Sequence, residues 1–339
     1  MTELLSLNLQ LFAWTAQDTP GSPTVNPVNR TSDSSMSPTM KTFYDTTLLE
    51  NAREAMIFTQ FGKRQPMSGG KVEWRKFETF AEALTPLEEG VIPTGQTFGM
   101  TKIDGDITQH GDFTAISDRL ELESYDDVIF GATEEMGAAE GSTYDILTRN
   151  KLLGGGNVWY CSASASRSAI KDTDILTPDV VNKVQTQMKK HKVPKIDGWY
   201  VALIHPSQAY DLRNSEEWKE YHKYNDTTPI FKGEIGELHG VKFVESNNVA
   251  VRKAGANGAS VYMALFLGKD AFGILDPEGE GMEMIIKTKE QIGGPLNQFG
   301  TVGYKFCHGA EILYPERIVR VESGSSFGTI DEENYPEEN

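Results

Sequence analysis

The feature that most constrains this chain is a strand with nothing of its own to pack on. Leu5-Ser6-Leu7-Asn8-Leu9-Gln10-Leu11 alternates apolar and polar side chains without a break, which is the period of a half-buried β-strand. The stretch 13–40 that follows is rich in Ser, Thr, Pro, Asn and Asp and has no periodicity. That is the composition of a linker. A strand of four leucines on a tether of that length cannot bury its own apolar face. Two readings stay open: a frayed terminus, or an arm that adds its strand to a neighbouring molecule. On the second reading Leu5, Leu7, Leu9 and Leu11 are inter-subunit contacts.

Folded sequence is expected from about Met40, with a helical lead-in over 41–62. A β-ribbon with a long excursion follows, over 63–105. Gly69-Gly70 marks a turn, and Val72-Glu73-Trp74-Arg75 alternates after it. Residues 81–96 carry Pro86, Gly90, Pro93 and Gly95 and no helical stripe. Asp104-Gly105, between 97–103 and 106–116, predicts a two-residue hairpin turn. Such a ribbon is too thin to hold a core and must pack against something else. Val72, Trp74, Arg75, Phe77 and Phe80 therefore join the leucines as expected inter-subunit contacts.

Ser117 and Ser124 are N-cap candidates. Ser124 is the better, because Asp126 and Asp127 fall in the first turn, where the helix dipole favours acids. The helix it opens runs over 125–153 through Val128, Ala132, Met136, Ala139, Ile146 and Leu147, and stops at Gly154-Gly155-Gly156. Gly131, Gly137 and Gly141 each cost about 1 kcal/mol against Ala, so the helix is expected to bend or pack closely there. A second helix starts at Thr177-Pro178-Asp179 and carries the stripe Val180, Val184 and Met188. Residues 199–204 read as a buried strand ended by Pro206. Further strands are expected at 241–244, 260–267, 282–286, 301–313 and 318–321. The tail 331–339 is acidic, a composition that favours disorder. Strands and helices mix without regular βαβ repetition, so the fold class is α+β.

Composition narrows the function. The chain has 49 acidic and 32 basic residues, for a net charge of −17. Binding nucleic acid through its phosphates calls for a basic surface, so tight DNA binding by bulk charge is not expected. A wall that encloses DNA has no such need. Cys161 and Cys307 are the only cysteines and read as reduced thiols of a cytosolic product. No run approaches the ~20 apolar residues of a membrane span, and Glu3 stands where a signal peptide would be positive.

Catalytic motifs were sought in vain. The six histidines form no HExxH and no pair at i, i+4. Cys307-His308 would face opposite sides of a strand, so a packed thiol beside a polar histidine is the plainer reading. The triple glycine lacks the Lys-Ser/Thr of a phosphate loop. Glu88-Glu89 and Asp126-Asp127 read as solvated loop and helix start. No cofactor, metal or catalytic residue is expected.

Particular segments carry a resemblance. Leu7-Asn8-Leu9-Gln10-Leu11-Phe12, the ribbon segments 71–77 and 84–91, Gln109-His110-Gly111-Asp112 with Ile116-Ser117-Asp118, Gly236-Glu237-Leu238-His239-Gly240-Val241, and Pro295-Leu296-Asn297-Gln298-Phe299-Gly300 occur in one order along the chain. In that order they resemble the tailed-phage major capsid proteins of the HK97-like fold, especially the branch that includes the coliphage N-four coat protein. The resemblance departs at 13–38, which is longer and more polar, and at the acidic tail.

The resemblance implies a flat HK97-like subunit. Its parts would be an N-terminal arm and linker (1–40), a helical lead-in (41–62), an extended β-ribbon loop (63–105), a peripheral domain (106–197) with spine helix 125–153, an axial domain (198–300), a return to the peripheral domain (301–325) and an acidic tail (326–339). The implied function is structural: a virion capsid shell, assembled in the host cytoplasm, enclosing double-stranded DNA without sequence-specific binding. The partners would be copies of the chain in pentamers and hexamers and a portal protein, with scaffolding or decoration proteins as further candidates and no membrane. The alternatives are a nanocompartment shell of the same fold around protein cargo, and an enzyme without a recognisable motif.

Overall fold

The computed structural model describes residues 56–67, 71–78, 80–87, 89–90, 92, 95–124, 128–162, 166–222, 234–277, 282–292, 296–327 and 333–335. The arm leucines Leu5, Leu7, Leu9 and Leu11, the tether, and most of the lead-in expected over 41–62 lie outside the described residues.

In chain order the strands and helices begin with β1 (Lys63–Met67), β2 (Lys71–Phe77), β3 (Met100–Asp106), β4 (Thr108–Ser117), α1 (Asp118–Glu123), α2 (Val128–Leu153), β5 (Val158–Tyr160), α3 (Pro178–Lys190), β6 (Tyr200–Ile204), α4 (Pro206–Asn214) and α5 (Glu216–His222). They continue with β7 (Glu234–Leu238), β8 (Val241–Glu245), β9 (Ala250–Arg252), β10 (Val261–Leu267), β11 (Phe272–Pro277), β12 (Glu283–Lys287), α6 (Lys289–Ile292), β13 (Phe299–His308), β14 (Ala310–Ile312) and β15 (Ile318–Ser323). The chain divides into two units. The smaller includes Phe113–Ala132 and Ile285–Gly303, and the larger includes Phe43–Asp112, Thr133–Met284 and Tyr304–Asn339.

The larger unit is built on a mixed sheet ordered β5-β15-β10-β6-β8-β7, with β9 added to β10. β6 lies parallel to β8 and antiparallel to β10. All five residues of β6 and all seven of β10 are buried. Both faces of the sheet are covered, so its strands read as continuous apolar runs and do not alternate with polar residues. The period of two survives in what each side chain touches. Tyr200, Ala202, Ile204, Ala264 and Phe266 pack with Val181, Val184 and Met188 of α3. Val201, Leu203, Met263, Leu265 and Leu267 pack on the other side with Leu152 and Leu153 of α2 and with Phe58 and Phe272.

α3 forms as expected. Thr177 Oγ1 accepts from the Val180 backbone N–H at 3.4 Å, and Pro178 takes the first helical position. Asp104-Gly105 is a correction. Both residues lie inside β3, where Asp104 pairs with Glu73 and Gly105 with Val72 of β2. The next strand, β4, belongs to a different sheet, ordered β12-β13-β4. Gly105 serves packing there instead of turning the chain: a Cβ on it would meet the Trp74 ring at 2.6 Å.

The long helix α2 gives a second correction. At 26 residues it is about as long as expected; Val128 and Ala132 of its apolar stripe are buried, but the rest of the stripe is not. Ala139 is exposed, and Met136, Ile146 and Leu147 are half-buried. Fully buried instead are Glu140, Asp145, Thr148 and Arg149. Burying such groups is tolerable when hydrogen bonds replace water, and three of the four have them. Asp145 Oδ1 accepts from the backbone N–H groups of Ile57 and Phe58 at 3.0 and 2.7 Å, and its Oδ2 from Asn248 Nδ2 at 3.2 Å. Thr148 Oγ1 lies 3.0 Å from His308 Nε2. Burial holds His308 down at about 4.

Arg149 Nη1 donates to the Asn248 carbonyl at 2.7 Å and to Asn334 Oδ1 at 3.2 Å, and its Nη2 donates to the Asn334 carbonyl at 2.9 Å. Asn334 also exchanges hydrogen bonds with Val249 and Val251 beside and within β9. Residues 333–335, inside the segment whose composition favours disorder, therefore close the fold. Composition describes what a segment cannot do alone. It does not describe the acceptors another segment needs.

Glu140 is the exception. It is fully buried, and neither carboxylate oxygen has a hydrogen-bond partner among the described residues. Burial pushes its pKa up to about 7 from an ordinary 4.5. A folded-state value above the unfolded one favours folding below pH 4.5, and that advantage is lost as pH rises through 7. Glu140→Gln should raise stability by on the order of 2 kcal/mol near pH 8 and by nothing measurable near pH 4, read from urea midpoints of the unassembled chain. Asn334→Ala should lower stability by about 2 kcal/mol in the same assay, because the buried Arg149 guanidinium loses the Asn334 Oδ1 acceptor and Val251 N–H loses it too. An unchanged midpoint would remove the C-terminal segment from the core.

Candidate assembly surfaces

The ribbon begins as an antiparallel pair, β2 with β3, in register from Lys71↔Asp106 to Phe77↔Met100. Along β2 the side chains alternate. Val72, Trp74 and Lys76 are half-buried, and Lys71, Glu73, Arg75 and Phe77 are exposed. The inward set fastens the ribbon to its own subunit. The Trp74 ring lies against two glycines, Gly105 of β3 and Gly273 of β11, where a Cβ would come within 2.6 and 2.7 Å of it. No other residue type leaves room for the indole at either place. Lys76 Nζ bonds Glu316 Oε1 at 2.9 Å and sits 4.4 Å from the centre of the Tyr314 ring. Burial pushes Glu316 up, but its own backbone N–H and Lys76 outweigh that and hold it below its ordinary value. Of the expected inter-subunit contacts, Val72 and Trp74 thus face their own chain.

The outward face is a ladder of charge. Lys102 reaches Glu73 at 2.5 Å and Asp104 at 3.0 Å, and Lys71 reaches Asp106 at 3.2 Å. These pairs are exposed and fix register more than they add stability. Arg75 is exposed beside them.

Between Phe77 and Met100 the described residues form no helix or strand. The neck of this stretch is closed by Gln96, whose side chain donates to the Ala81 carbonyl at 2.8 Å and accepts from the Ala81 N–H at 2.9 Å. Phe98 lies 4.9 Å from Phe77 and 5.6 Å from Phe80, ring centre to ring centre. In the same stretch of sequence, Leu84, Leu87 and Ile92 are 84%, 77% and 92% exposed. Exposed apolar side chains in one run of sequence mark a surface that another molecule covers. Phe77 and Phe80 are exposed within the aromatic cluster. Leu84, Leu87, Ile92, Phe98 and Met100 are exposed apolar residues that the sequence reading did not single out. Their signal was present: apolar residues among turn formers, with no period to bury them.

The smaller unit has its own concavity, a cleft of about 280 Å³ walled by Ile116, Ile129, Ile286 and Val302. Lys289 and Glu121, also in its lining, form a salt bridge of 2.6 Å. Asp118 N–H donates to the Gln298 carbonyl at 2.8 Å, and the Ser117 hydroxyl accepts from Leu120 N–H as the cap of α1. Ser124 closes α1, its N–H bonded to the Leu120 carbonyl; residues 125–127, where the long helix was expected to open, lie outside the described residues. Leu122 and Leu296 are exposed. Among the described residues no group of His, Cys, Asp and Glu is placed to hold a metal ion. No helix of the described residues is long and apolar enough to cross a membrane.

Residues 114–274 match the family model described as phage capsid protein. No curated protein matches the chain. Among solved structures, the capsid of Ralstonia phage GP4 is similar with a TM-score of 0.64 at 15% identity, covering 94% of this chain and all of that one. The capsid of cyanophage P-SCSP1u is similar with a TM-score of 0.59 at 17% identity, over 80% of this chain and 89% of that one. The cyanophage Pam1 capsid subunit gives a TM-score of 0.64 at 12% identity, over 89% and 100%. The chain has the fold of tailed-phage capsid proteins, the HK97-like fold.

Proposed function

We propose that this chain is the major capsid protein of a tailed bacteriophage, a structural protein that assembles with copies of itself into the shell around the genome. One observation carries the reading. The excursion between Phe77 and Met100 exposes an apolar surface that its own subunit does not cover, on a chain with the capsid fold and a match to the phage capsid family over 114–274. The half-buried Ile146 and Leu147 of α2 add to the apolar surface open to neighbours.

On this reading the parts take the roles the resemblance implies. Residues 1–40 are an arm whose Leu5, Leu7, Leu9 and Leu11 dock on another copy. Residues 63–105 lie over a neighbour, with Arg75, Phe77 and Phe80 in contact. Residues 125–153 are the spine, 106–197 and 301–325 the peripheral domain, and 198–300 the axial domain of each pentamer or hexamer. The branch of the coliphage N-four coat protein remains the proposed placement. A portal protein, and scaffolding or decoration proteins, are proposed partners. The shell encloses double-stranded DNA in the host cytoplasm, and a net charge of −17 leaves its surface no general hold on phosphate.

Closed symmetry repeats each contact many times, so a modest loss per contact is multiplied over the shell. Deleting residues 78–99, or residues 1–40, should leave a subunit with native far-ultraviolet circular dichroism. Closed particles in negative-stain micrographs should fall by about tenfold or more. Intact shells from either deletion would count against the role given to that segment. A full-length chain that stays monodisperse and small at high concentration would defeat the capsid reading.

A further inference from the structure

Where the ribbon meets its own subunit, a cleft of about 170 Å³ is lined by Lys63, Trp74, Arg75, Lys76, Tyr314 and Arg317. Four cations converge there in a chain whose net charge is −17. Two of them are engaged. Lys76 pairs with Glu316, and Arg317 donates to the Lys269 carbonyl at 2.7 Å with its guanidinium 3.7 Å from the Tyr314 ring centre. Lys63 and Arg75 are exposed, and neither forms an ion pair among the described residues. Asp270 is the one carboxylate in the lining. The indole N–H of Trp74 is buried and finds no acceptor among the described residues. Two exposed cations without an ion pair, at a cleft with a single carboxylate, describe a place suited to an anionic oxygen.

The matching chemistry occurs in the same chain. Between residues 78 and 99 stand Glu78, Glu82, Glu88 and Glu89, with no Lys or Arg. Glu78, Glu82 and Glu89 are exposed. Among the described residues, Glu78, Glu82 and Glu89 form no ion pair with Lys63 or Arg75 of the cleft. The ion pair of Glu82 is with Lys192, at 3.8 Å between side chains 76% and 87% exposed, a contact worth little. Two complementary patches that do not satisfy each other in one molecule suit a head-to-tail contact between two, which closes into a ring under rotation.

We propose that the excursion of one copy docks its glutamates into the basic cleft of a second copy, beside Trp74. The proposal rests on the capsid reading. It assigns to the Glu-rich excursion a specific seat and to the cleft a specific occupant. The apolar side chains around the glutamates bury area in the contact, and the charges choose the register.

A charge swap tests it. Lys63→Glu with Arg75→Glu, and separately Glu82→Lys with Glu89→Lys, alter exposed side chains outside the core. Circular dichroism of each chain checks that it folds. Each pair of changes should lower the particle fraction in sedimentation by about tenfold or more, and the four changes together should restore it to within about twofold of the unmodified chain. The proposal is overturned if either altered chain assembles like the unmodified one, or if the fourfold variant does not recover. In both cases particles from the unmodified chain leave the capsid reading standing, whereas their absence would defeat that reading and the proposal with it. Normal shells of the K63E/R75E chain that retain less DNA would mean that the cleft meets phosphate, and would also overturn the proposal.

Discussion

The fold of the larger unit hangs on the buried guanidinium of Arg149. A charge without water in a low-dielectric interior is stable only when every donor has an acceptor and the acceptors hold still. Here the acceptors come from Asn150 on the same helix, from Asn248 on the loop before β9, and from Asn334 near the end of the chain. Asn248 also bonds Asp145, which in turn holds the backbone of Ile57 and Phe58. One network thus ties together residues 57 and 334, close to the two ends of the described chain. Burial lowers Arg149 to about 10, with Tyr335 and Asp145 acting in the opposite direction. That balance depends on several segments arriving together, so it favours an all-or-none structure over a gradual one.

The middle of α2 inverts the usual division of a surface helix, although Val128, Ala132, Leu152 and Leu153 are buried in the ordinary way. α2 turns Asp145, Thr148 and Arg149 inward and leaves Ile146 and Leu147 half-exposed, while the ribbon carries Leu84, Leu87 and Ile92 in the open. A protein that worked alone would gain nothing from polar groups inside and apolar groups outside. On the capsid reading proposed for this chain, contacts between copies would cover that surface. Trp74 shows the boundary between the two regimes. Its ring is spent within the subunit, against Gly105 and Gly273, and it fixes the direction in which the exposed part of the ribbon leaves.

Much of this was legible in the residues, and the misses have definite causes. Thr177-Pro178 announced α3 because a cap and a fixed φ act on their immediate neighbours. Residues 199–204 announced β6 because a strand covered on both faces must be apolar throughout. Asp104-Gly105 misled because glycine has two uses, turning a chain and making room for a ring, and only the position of Trp74 tells them apart. The stripe through Ile146 and Leu147 misled because periodicity reports which face is apolar, not which face is covered. Glu88-Glu89 read as solvated loop, and nothing local marked the cations that the proposal sets opposite it.

What the sequence determined by itself was therefore what near neighbours decide: the α+β class, the starts of helices, the buried strands, the lack of a catalytic motif, and a ribbon too thin to stand alone. What only the tertiary structure decided was which groups far apart in sequence meet. Arg149 meets Asn334, Trp74 meets Gly273, and Lys63 shares a cleft with Arg317, each across more than a hundred residues. Propensity and periodicity act over a few residues, and the energy of a buried charge is settled by whatever the folded chain brings beside it.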